Sequence, residues 1–226
     1  METIDHALAE GRKFLSEHES KRFLSRFGIP VTPEVLVSSL DDARIAAQEI
    51  GYPVVLKGAS PTVVHKTELN MVELNIRNPI DLADAYEQIM INAKAACDRV
   101  LVQKMIFGER ELIVGFTRDF QFGPCVMFGV GGFFAELFRD ITFRLPPLTE
   151  RDAIEMMDDI KGNNLLRGFR GSSPVHKEAL SRILIVLGDI GIQYSSIKEM
   201  DINPLIVQSD GSLIAVDALI GLSPQG

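Results

Sequence analysis

The sequence has few cysteines and no excess of basic residues, and both shortages narrow what the protein can be. Its 226 residues include only Cys97 and Cys125, which form neither a disulfide framework nor the CxxC pair of a metal site. Its 23 basic residues are outnumbered by 31 acidic ones, so the net charge is −8. This balance excludes a broad basic surface for nucleic acid, although it allows a small pocket for a phosphate ligand.

Long hydrophobic runs and histidine clusters are also missing. No apolar stretch approaches the ~20 residues that a membrane-spanning helix needs, and the first residues are charged rather than apolar. We therefore expect no membrane span and no signal peptide, and we expect the reduced cysteines of a cytoplasmic protein. No two of the four histidines have metal-ligand spacing, which argues against a zinc site.

The sequence does contain a mixture of helices and antiparallel hairpins. Helices are predicted over 3–27 with a break near Gly11, and over 41–50, 78–96, 149–160 and 174–190, with strands between them. Two hairpins are predicted among the strands, one before and one after the last two helices. This order of elements favours an α+β fold over a doubly wound parallel sheet.

Oxygen-bearing side chains collect on the last predicted hairpin. Glu199, Asp201 and Asn203 alternate at period two, so they share one face of a strand. A turn at Asp210 brings Asp217 back beside Asn203. Oxygen donors on neighbouring strands suit Mg²⁺, with waters and phosphate oxygens completing the shell. A strand with a merely solvated polar face is the alternative, but the flanking apolar runs favour a site, because an unpaired carboxylate in a buried sheet is expensive.

Two further side chains could act on phosphate. Lys57 ends an apolar strand just before a glycine, where its ammonium can point at a phosphate; a lysine at the rim of the sheet is the alternative. His65 lies in the polar loop that follows. It could act as a nucleophile or proton carrier, or it could be a surface histidine with no role.

A strand end and a glycine turn offer backbone contacts for a ligand. The end of the strand over 100–104 could hydrogen-bond an adenine, and Glu109 or Glu111 could hold a ribose hydroxyl. The glycine-rich turn over 129–132 lets backbone N–H groups approach an anion. It is neither a Walker A motif nor a dinucleotide-binding fingerprint, and a tight turn without a ligand is the alternative. Arg144 could contact a phosphate or a partner, or it could be an ordinary surface arginine.

In their order and spacing, these segments resemble one family. The motifs are FLSRFGIPV, YPVVLKGASPTVVHKTELNMV, VLVQKMIFGERELIVGFTRDFQFGP, GVGGFFAELFRDITFRLPPL, LLRGFRG and EMDINPLIV followed by GSLIAVDALI. Together they resemble the ATP-grasp (beta) subunit of NDP-forming acyl-CoA synthetases, such as ADP-forming acetate–CoA ligase. The D-I-N-P-L hairpin and the later aspartate are also similar to the succinyl-CoA synthetase beta subunit. The resemblance covers about residues 16–222.

The resemblance implies an ATP-grasp fold, in which two α+β lobes with antiparallel sheets clasp a nucleotide. It implies a first lobe over residues 16–99 that includes the His65 loop, and a second lobe over residues 100–226 that includes the metal-binding hairpin. Residues 1–15 are then an N-terminal extension.

The resemblance also implies roles for single residues. His65 would relay a phosphoryl group, and Asp201 would face the phosphoryl-transfer centre. Asn203 and Asp217 would bind Mg²⁺. The residues implied to contact the nucleotide are Lys57 at the phosphates, Val102, Gln103, Lys104 and Met105 as the adenine hinge, Glu111 near the ribose or phosphates, and Arg144 in the nucleotide or subunit-contact region.

The implied reaction is acyl-CoA + ADP + phosphate ⇌ carboxylic acid + CoA + ATP, with Mg²⁺ as cofactor. A companion alpha subunit would bind CoA and the small carboxylic acid, in an expected α₂β₂ assembly. The motifs fill nearly the whole sequence and leave no segment for CoA. No nucleic-acid or membrane partner is expected.

Two other functions fit the same motifs. One is an ATP-grasp carboxylate–amine ligase, which uses an acyl phosphate and no phosphohistidine. The other is a nucleotide-binding regulator with no enzymatic activity and no CoA-binding partner. Replacing His65 distinguishes a carboxylate–amine ligase from an enzyme with a histidine relay. Labelled ATP supplied with a candidate alpha subunit distinguishes a nucleotide-binding regulator from the synthetase subunit.

Overall fold

The computed structural model describes residues 2–59, 70–93, 97–108, 110–132, 140–168 and 171–223. These ranges contain six α-helices, one 3₁₀ turn over Asn163–Leu166, and ten strands. The helices are α1 (Glu2–Ala9), α2 (Glu17–Ser25), α3 (Leu40–Ile50), α4 (Pro79–Ala93), α5 (Glu150–Asp159) and α6 (Lys177–Gln193). The strands are β1 (Glu34–Val37), β2 (Val54–Ala59), β3 (Val72–Ile76), β4 (Arg99–Lys104), β5 (Arg110–Asp119), β6 (Gly123–Val130), β7 (Ile141–Arg144), β8 (Ile197–Val207), β9 (Leu213–Ala215) and β10 (Leu219–Leu222). No helix in the described ranges is both long and apolar enough to cross a membrane.

The chain divides into two compact units. The small unit comprises Ser16–His18 and Thr32–Ile106, and the large unit comprises Met1–Leu15, Glu19–Val31 and Phe107–Gly226. The small unit ends beyond the boundary predicted between residues 99 and 100, because β4 pairs with β1 and β2. The stretch predicted as an N-terminal extension lies in the large unit, where α1 buries two side chains, Ile4 and Ala7, in the core.

The small unit is a four-stranded sheet covered by α3 and α4. Its strand order is β1-β4-β2-β3, and every pairing is antiparallel. Helix α3 begins where the Ser39 hydroxyl accepts the Asp42 N–H, and it ends at Gly51, whose φ of 82° disfavours other residues. Its buried face consists of small alanines, and α4 adds Leu82 and Ile89 to the same core. Close packing of apolar side chains from both helices on the sheet therefore holds this unit together.

The large unit is a six-stranded antiparallel sheet in the order β10-β8-β5-β6-β7, with β9 also paired to β8. Helix α6 buries Leu180, Leu184 and Leu187 in the core of this unit, and it packs on β5 and β6. The predicted hairpin of β5 and β6 is confirmed, with Asp119 opposite Gly123. Its turn is ordered by the Asp119 carboxylate, which accepts the N–H groups of Gln121 and Phe122.

The last hairpin differs from its prediction, because the returning strand is broken in two. Both β9 and β10 pair with β8, and Ala215 and Leu219 keep one continuous register against Leu205 and Asp201. The backbone between them leaves the sheet over residues 216–218. Here the Ala218 N–H is taken by the Asp217 carboxylate. Pro204 on the facing strand has no N–H to offer, so the ladder is locally incomplete.

Candidate functional site

One face of the large sheet carries the predicted carboxylates. Along β8, Met200 and Ile202 are buried in the core. Their neighbours Glu199, Asp201 and Asn203 alternate onto the opposite face, where Asn203 is exposed and the other two are partly buried. The period-two prediction for this strand is therefore confirmed, and the polar face is the one not covered by the core helices.

Glycines on the neighbouring strands pack closely against this part of β8. Gly115 on β5 lies opposite Asp201, and a Cβ there would collide with the Met200 carbonyl. Gly221 on β10 lies opposite Glu199, and a Cβ there would come within 2.7 Å of the Glu199 Cγ. Sequence reasoning missed both glycines, because only the strand register shows what they face.

Asp217 lies in the break between β9 and β10. The register that continues through these two strands places it level with Asn203, as the hairpin prediction required. Its Oδ1 accepts the N–H of Ala218 at 2.8 Å, which fixes the orientation of the carboxylate. Asp217 is partly buried at this position.

The electrostatics of this face set Asp201 apart. Burial, and then the negative charges of Asp217 and Glu199, raise the pKa of Asp201 from its ordinary value of 3.8 to about 6. These neighbouring carboxylates repel one another when ionised, and a divalent cation would relieve that repulsion. Within the described ranges, no three side chains of the His, Cys, Asp and Glu types could by themselves enclose a metal ion. Carboxylate oxygens such as those of Asp201 and Asp217 are donors of the type that Mg²⁺ binds, with waters and phosphate oxygens completing its shell.

The glycine turn packs directly against Glu111. The Gly131 N–H donates to the Glu111 carbonyl at 2.7 Å. A Cβ on Gly131 would lie 2.9 Å from the Glu111 carbonyl carbon, and one on Gly132 (φ 71°) would lie 3.2 Å from the Glu111 Oε2. The turn therefore requires glycine in order to pack on Glu111. Glu109, the other predicted carboxylate, lies outside the described residues.

Arg144 ends the edge strand β7. Its guanidinium pairs with the Asp159 carboxylate and donates to the Phe143 carbonyl at 3.0 Å. These contacts link β7 to the end of α5. The nucleotide-binding role of Arg144 stays a prediction.

In the small unit, Lys57 is held in a buried ion pair. Strand β2 lies between β4 and β3, so the alternative of a lysine at the rim of the sheet is wrong. The Lys57 Nζ lies 2.6 Å from the Glu17 Oε1, and the two side chains are only 8% and 4% exposed. The sequence did not predict Glu17 as the ion-pair partner of Lys57, because 40 residues separate the two in the chain. The phosphate-binding role of Lys57 stays a prediction.

The predicted adenine hinge begins inside the small sheet. Val102 and Gln103 are buried on β4, an interior strand whose backbone groups pair with β1 and β2. The Lys104 Nζ donates to the Gly51 carbonyl at 2.7 Å, and the Met105 N–H donates to the Pro53 carbonyl at 3.1 Å. Most backbone groups of this segment therefore already have partners within the small sheet. The role of the segment as an adenine hinge stays a prediction.

The predicted catalytic residues are divided between described and undescribed parts of the chain. Asp201 lies on the carboxylate face of the large unit. His65 lies outside the described residues, so its role stays a prediction.

Comparison with known proteins places this geometry in a family. A family model described as the ATP-grasp domain matches residues 6–222. The chain belongs to the ATP-grasp family. This match to the ATP-grasp domain begins inside the stretch predicted as an N-terminal extension. The predicted α+β, ATP-grasp fold is confirmed.

The relatives of this ATP-grasp chain include a CoA ligase subunit of similar length and a longer CoA ligase. It is 43% identical over 222 residues to the beta subunit of ADP-forming acetate–CoA ligase I of Pyrococcus furiosus, across 96% of this chain and 95% of that one. It is 37% identical to the ADP-forming 4-hydroxybutyrate–CoA ligase of Nitrosopumilus maritimus, across 97% of this chain but 32% of that protein. The predicted family resemblance is therefore confirmed.

A solved structure matches the ATP-grasp chain over nearly its whole length. It is the dinucleotide-forming acetyl-coenzyme A synthetase 1 of Ca. Korarchaeum cryptofilum, in complex with coenzyme A, Ca-AMPCP and HgCl⁺. The TM-score is 0.93 at 46% identity, covering 98% of this chain and 99% of that one.

Proposed function

We propose that this chain is the ATP-grasp beta subunit of an ADP-forming acid–CoA ligase. The observation that carries the proposal is the near full-length identity to an acetate–CoA ligase beta subunit. The reaction is acyl-CoA + ADP + phosphate ⇌ carboxylic acid + CoA + ATP. The chain binds the nucleotide with Mg²⁺ and passes a phosphoryl group between the nucleotide and a partner subunit.

The carboxylate face of the large unit supports the metal-binding part of the proposal. Asn203 and Asp217 would hold the ion, and Asp217 is already oriented by the Ala218 N–H. Bound Mg²⁺ would neutralise charge on the nucleotide phosphates. Asp201, with a pKa of about 6, is mostly ionised at neutral pH and faces the same region.

His65 would carry the phosphoryl group between the two reactants. In the direction of ATP synthesis, the P–N bond of phosphorylated His65 breaks as a β-phosphate oxygen of ADP forms the new P–O bond. An imidazole nitrogen is a good nucleophile at neutral pH, so a relay divides one difficult transfer into two easier ones. Lys57 would stabilise negative charge on the transferred group.

A CoA-binding alpha subunit is the proposed partner, in an α₂β₂ assembly. The Nitrosopumilus relative supports a partner, because two thirds of that ligase lies outside the part that matches this chain. The partner would bind CoA and the carboxylic acid. We propose a cytoplasmic location, where thiols such as those of Cys97 and Cys125 stay reduced.

The decisive experiment replaces His65 in the complex with the candidate alpha subunit. His65→Ala should abolish acyl-CoA synthesis and protein labelling by γ-labelled ATP, while Mg-ATP binding measured by calorimetry stays within about twofold of wild type. His6→Ala is the matched control, since the His6 side chain is 70% exposed and lies on α1.

Two results would contradict the proposal. Turnover retained by His65→Ala would point to a carboxylate–amine ligase that uses an acyl phosphate. If the wild-type pair gained no label and made no acyl-CoA from any simple acid, the chain would be a nucleotide-binding regulator instead.

A further inference from the structure

A lysine with almost no solvent exposure lies in the large unit. Lys21, on α2, is 1% exposed and is among the largest fully buried side chains of the described residues. Lysine is rarely buried to this degree, because removing an ammonium from water is costly unless polar groups compensate it. The contacts of the Lys21 ammonium should therefore explain why the fold buries this charge.

The Lys21 ammonium contacts the broken strand next to Asp217. Its Nζ donates to the Val216 carbonyl at 3.1 Å, across 195 residues of sequence. The Val216 N–H donates to the Pro204 carbonyl at 3.1 Å, so both backbone groups of Val216 are held. Asp217 follows directly, at the point where the chain leaves the sheet.

The Val216 carbonyl needs such a donor because the facing residue of β8, Pro204, cannot supply one. Pro204 has no N–H for the returning strand, and the Ala218 N–H is used by Asp217 itself. An ammonium bound to a backbone carbonyl makes a stronger hydrogen bond than a neutral donor does.

We infer that Lys21 is a positioning residue that holds the Val216 carbonyl and thereby orients the Asp217 carboxylate for a divalent cation. The inference rests on the proposed function, because it assigns Lys21 to the metal–nucleotide site of that enzyme. Residues that orient metal ligands typically affect metal affinity about 10–100-fold when they are replaced. A lysine that merely stabilised the fold would not affect metal affinity selectively.

The test measures metal binding directly. Mn²⁺ replaces Mg²⁺ so that binding to the full chain with saturating ADP can be followed by electron paramagnetic resonance. The variants are Lys21→Met, which keeps the length of the side chain without its charge, and Lys21→Arg, which keeps the charge. The matched control is Arg118→Met, because the Arg118 guanidinium also donates to backbone carbonyls, those of Gly191, Tyr194 and Ile197.

We expect Lys21→Met to raise the Kd for Mn²⁺ about tenfold or more, and Lys21→Arg to recover most of that loss. Arg118→Met should lower the melting temperature and leave the Kd for Mn²⁺ within about twofold of wild type. Hydrogen exchange at the Ala218 amide should accelerate in Lys21→Met and not in Arg118→Met. If Lys21→Met does not fold, Lys21→Gln takes its place in both measurements.

Two outcomes would overturn the inference and leave the proposed function intact. One is an unchanged Kd for Mn²⁺ in the uncharged Lys21 variant. The other is an equal loss of Mn²⁺ affinity in Arg118→Met, which would show a general structural effect. If the wild-type chain bound no Mn²⁺ in the presence of ADP, the proposed function would fail and this inference with it.

Discussion

The two units treat charged side chains in opposite ways. In the small unit, Lys57 leaves an interior strand and meets Glu17 at 2.6 Å, so a buried cation has a buried anion as its partner. In the large unit, Asp201 has carboxylates as neighbours, and the charges of Asp217 and Glu199 raise its pKa. The Lys57 charge therefore has its counter-ion within the fold, whereas the carboxylate face of the large unit concentrates charge of one sign.

The contrast separates a buried charge that has its counter-ion within the fold from a cluster of like charges that a bound cation would stabilise. A buried ion pair with good geometry is satisfied without any ligand. Clustered carboxylates weaken the ligand-free fold and gain when a cation arrives, which is why perturbed pKa values collect at functional sites. We therefore expect substitutions of the Glu17–Lys57 pair to lower the stability of the ligand-free protein. Substitutions on the carboxylate face should raise the stability of the ligand-free protein and weaken metal binding.

The largest expected effect comes from breaking the buried pair of the small unit. Glu17→Gln removes the buried carboxylate charge that Lys57 contacts at 2.6 Å, so the free energy of unfolding should fall by about 3–5 kcal/mol in urea titrations. Lys57→Met should cost a similar amount, because it removes the ammonium beside the buried Glu17 carboxylate. The double variant should cost clearly less than the sum of the two.

The control for this cycle is the exposed pair of Arg44 and Asp41 on α3, whose side chains are 47% and 86% exposed. Arg44→Gln should leave the urea midpoint nearly unchanged, because surface pairs contribute little. If the effects of Glu17→Gln and Lys57→Met simply added, the pair would be no more coupled than a surface pair.

An intermediate effect is expected at Asp201. Between about pH 4 and 6, the native metal-free protein keeps a proton on Asp201 that the unfolded chain has already lost. The free energy of unfolding should therefore fall as the pH rises through this window, by up to about 3 kcal/mol from this group. Asp201→Asn should remove the fall, and at pH 7 the metal-free variant should be the more stable protein.

The test measures the free energy of unfolding of Asp201→Asn and of wild type by urea titration from pH 4 to 8 and compares the two at each pH. Asp217→Asn provides a second check. Removal of this neighbouring charge should move the midpoint of the fall in unfolding free energy to lower pH. A difference that does not vary with pH would contradict the role assigned to the carboxylate cluster.

The smallest effect is expected at Arg144. Its ion pair with Asp159 is one-third to one-half exposed, so Arg144→Ala and Asp159→Asn should each lower the free energy of unfolding by less than about 1 kcal/mol. Calorimetry with Mg-ATP then tests the predicted nucleotide contact. A loss of affinity in Arg144→Ala alone would support that contact, and equal affinities in both variants would leave Arg144 a structural residue.

Local patterns in the sequence predicted much of the fold and of the carboxylate face. Alternation at period two placed Glu199, Asp201 and Asn203 on one face of β8, because side chains of a strand alternate between its two sides. The turn near Asp210 set the register that places Asp217 level with Asn203. These features depend on neighbours in sequence or on one short turn, so the chain alone determines them.

The partners of the charged residues required the tertiary structure. Glu17 meets Lys57 across 40 residues, and Lys21 meets the Val216 carbonyl across 195. The spacing around Lys21 looks like that of an ordinary helical lysine, and the need for Gly115 and Gly221 follows only from what faces them across the sheet. By itself the sequence determined which residues share a strand face and to which family the chain belongs. Only the packing of distant segments decided which charges are buried, which are compensated, and which are left to bind a ligand, since burial depends on what surrounds a side chain in space.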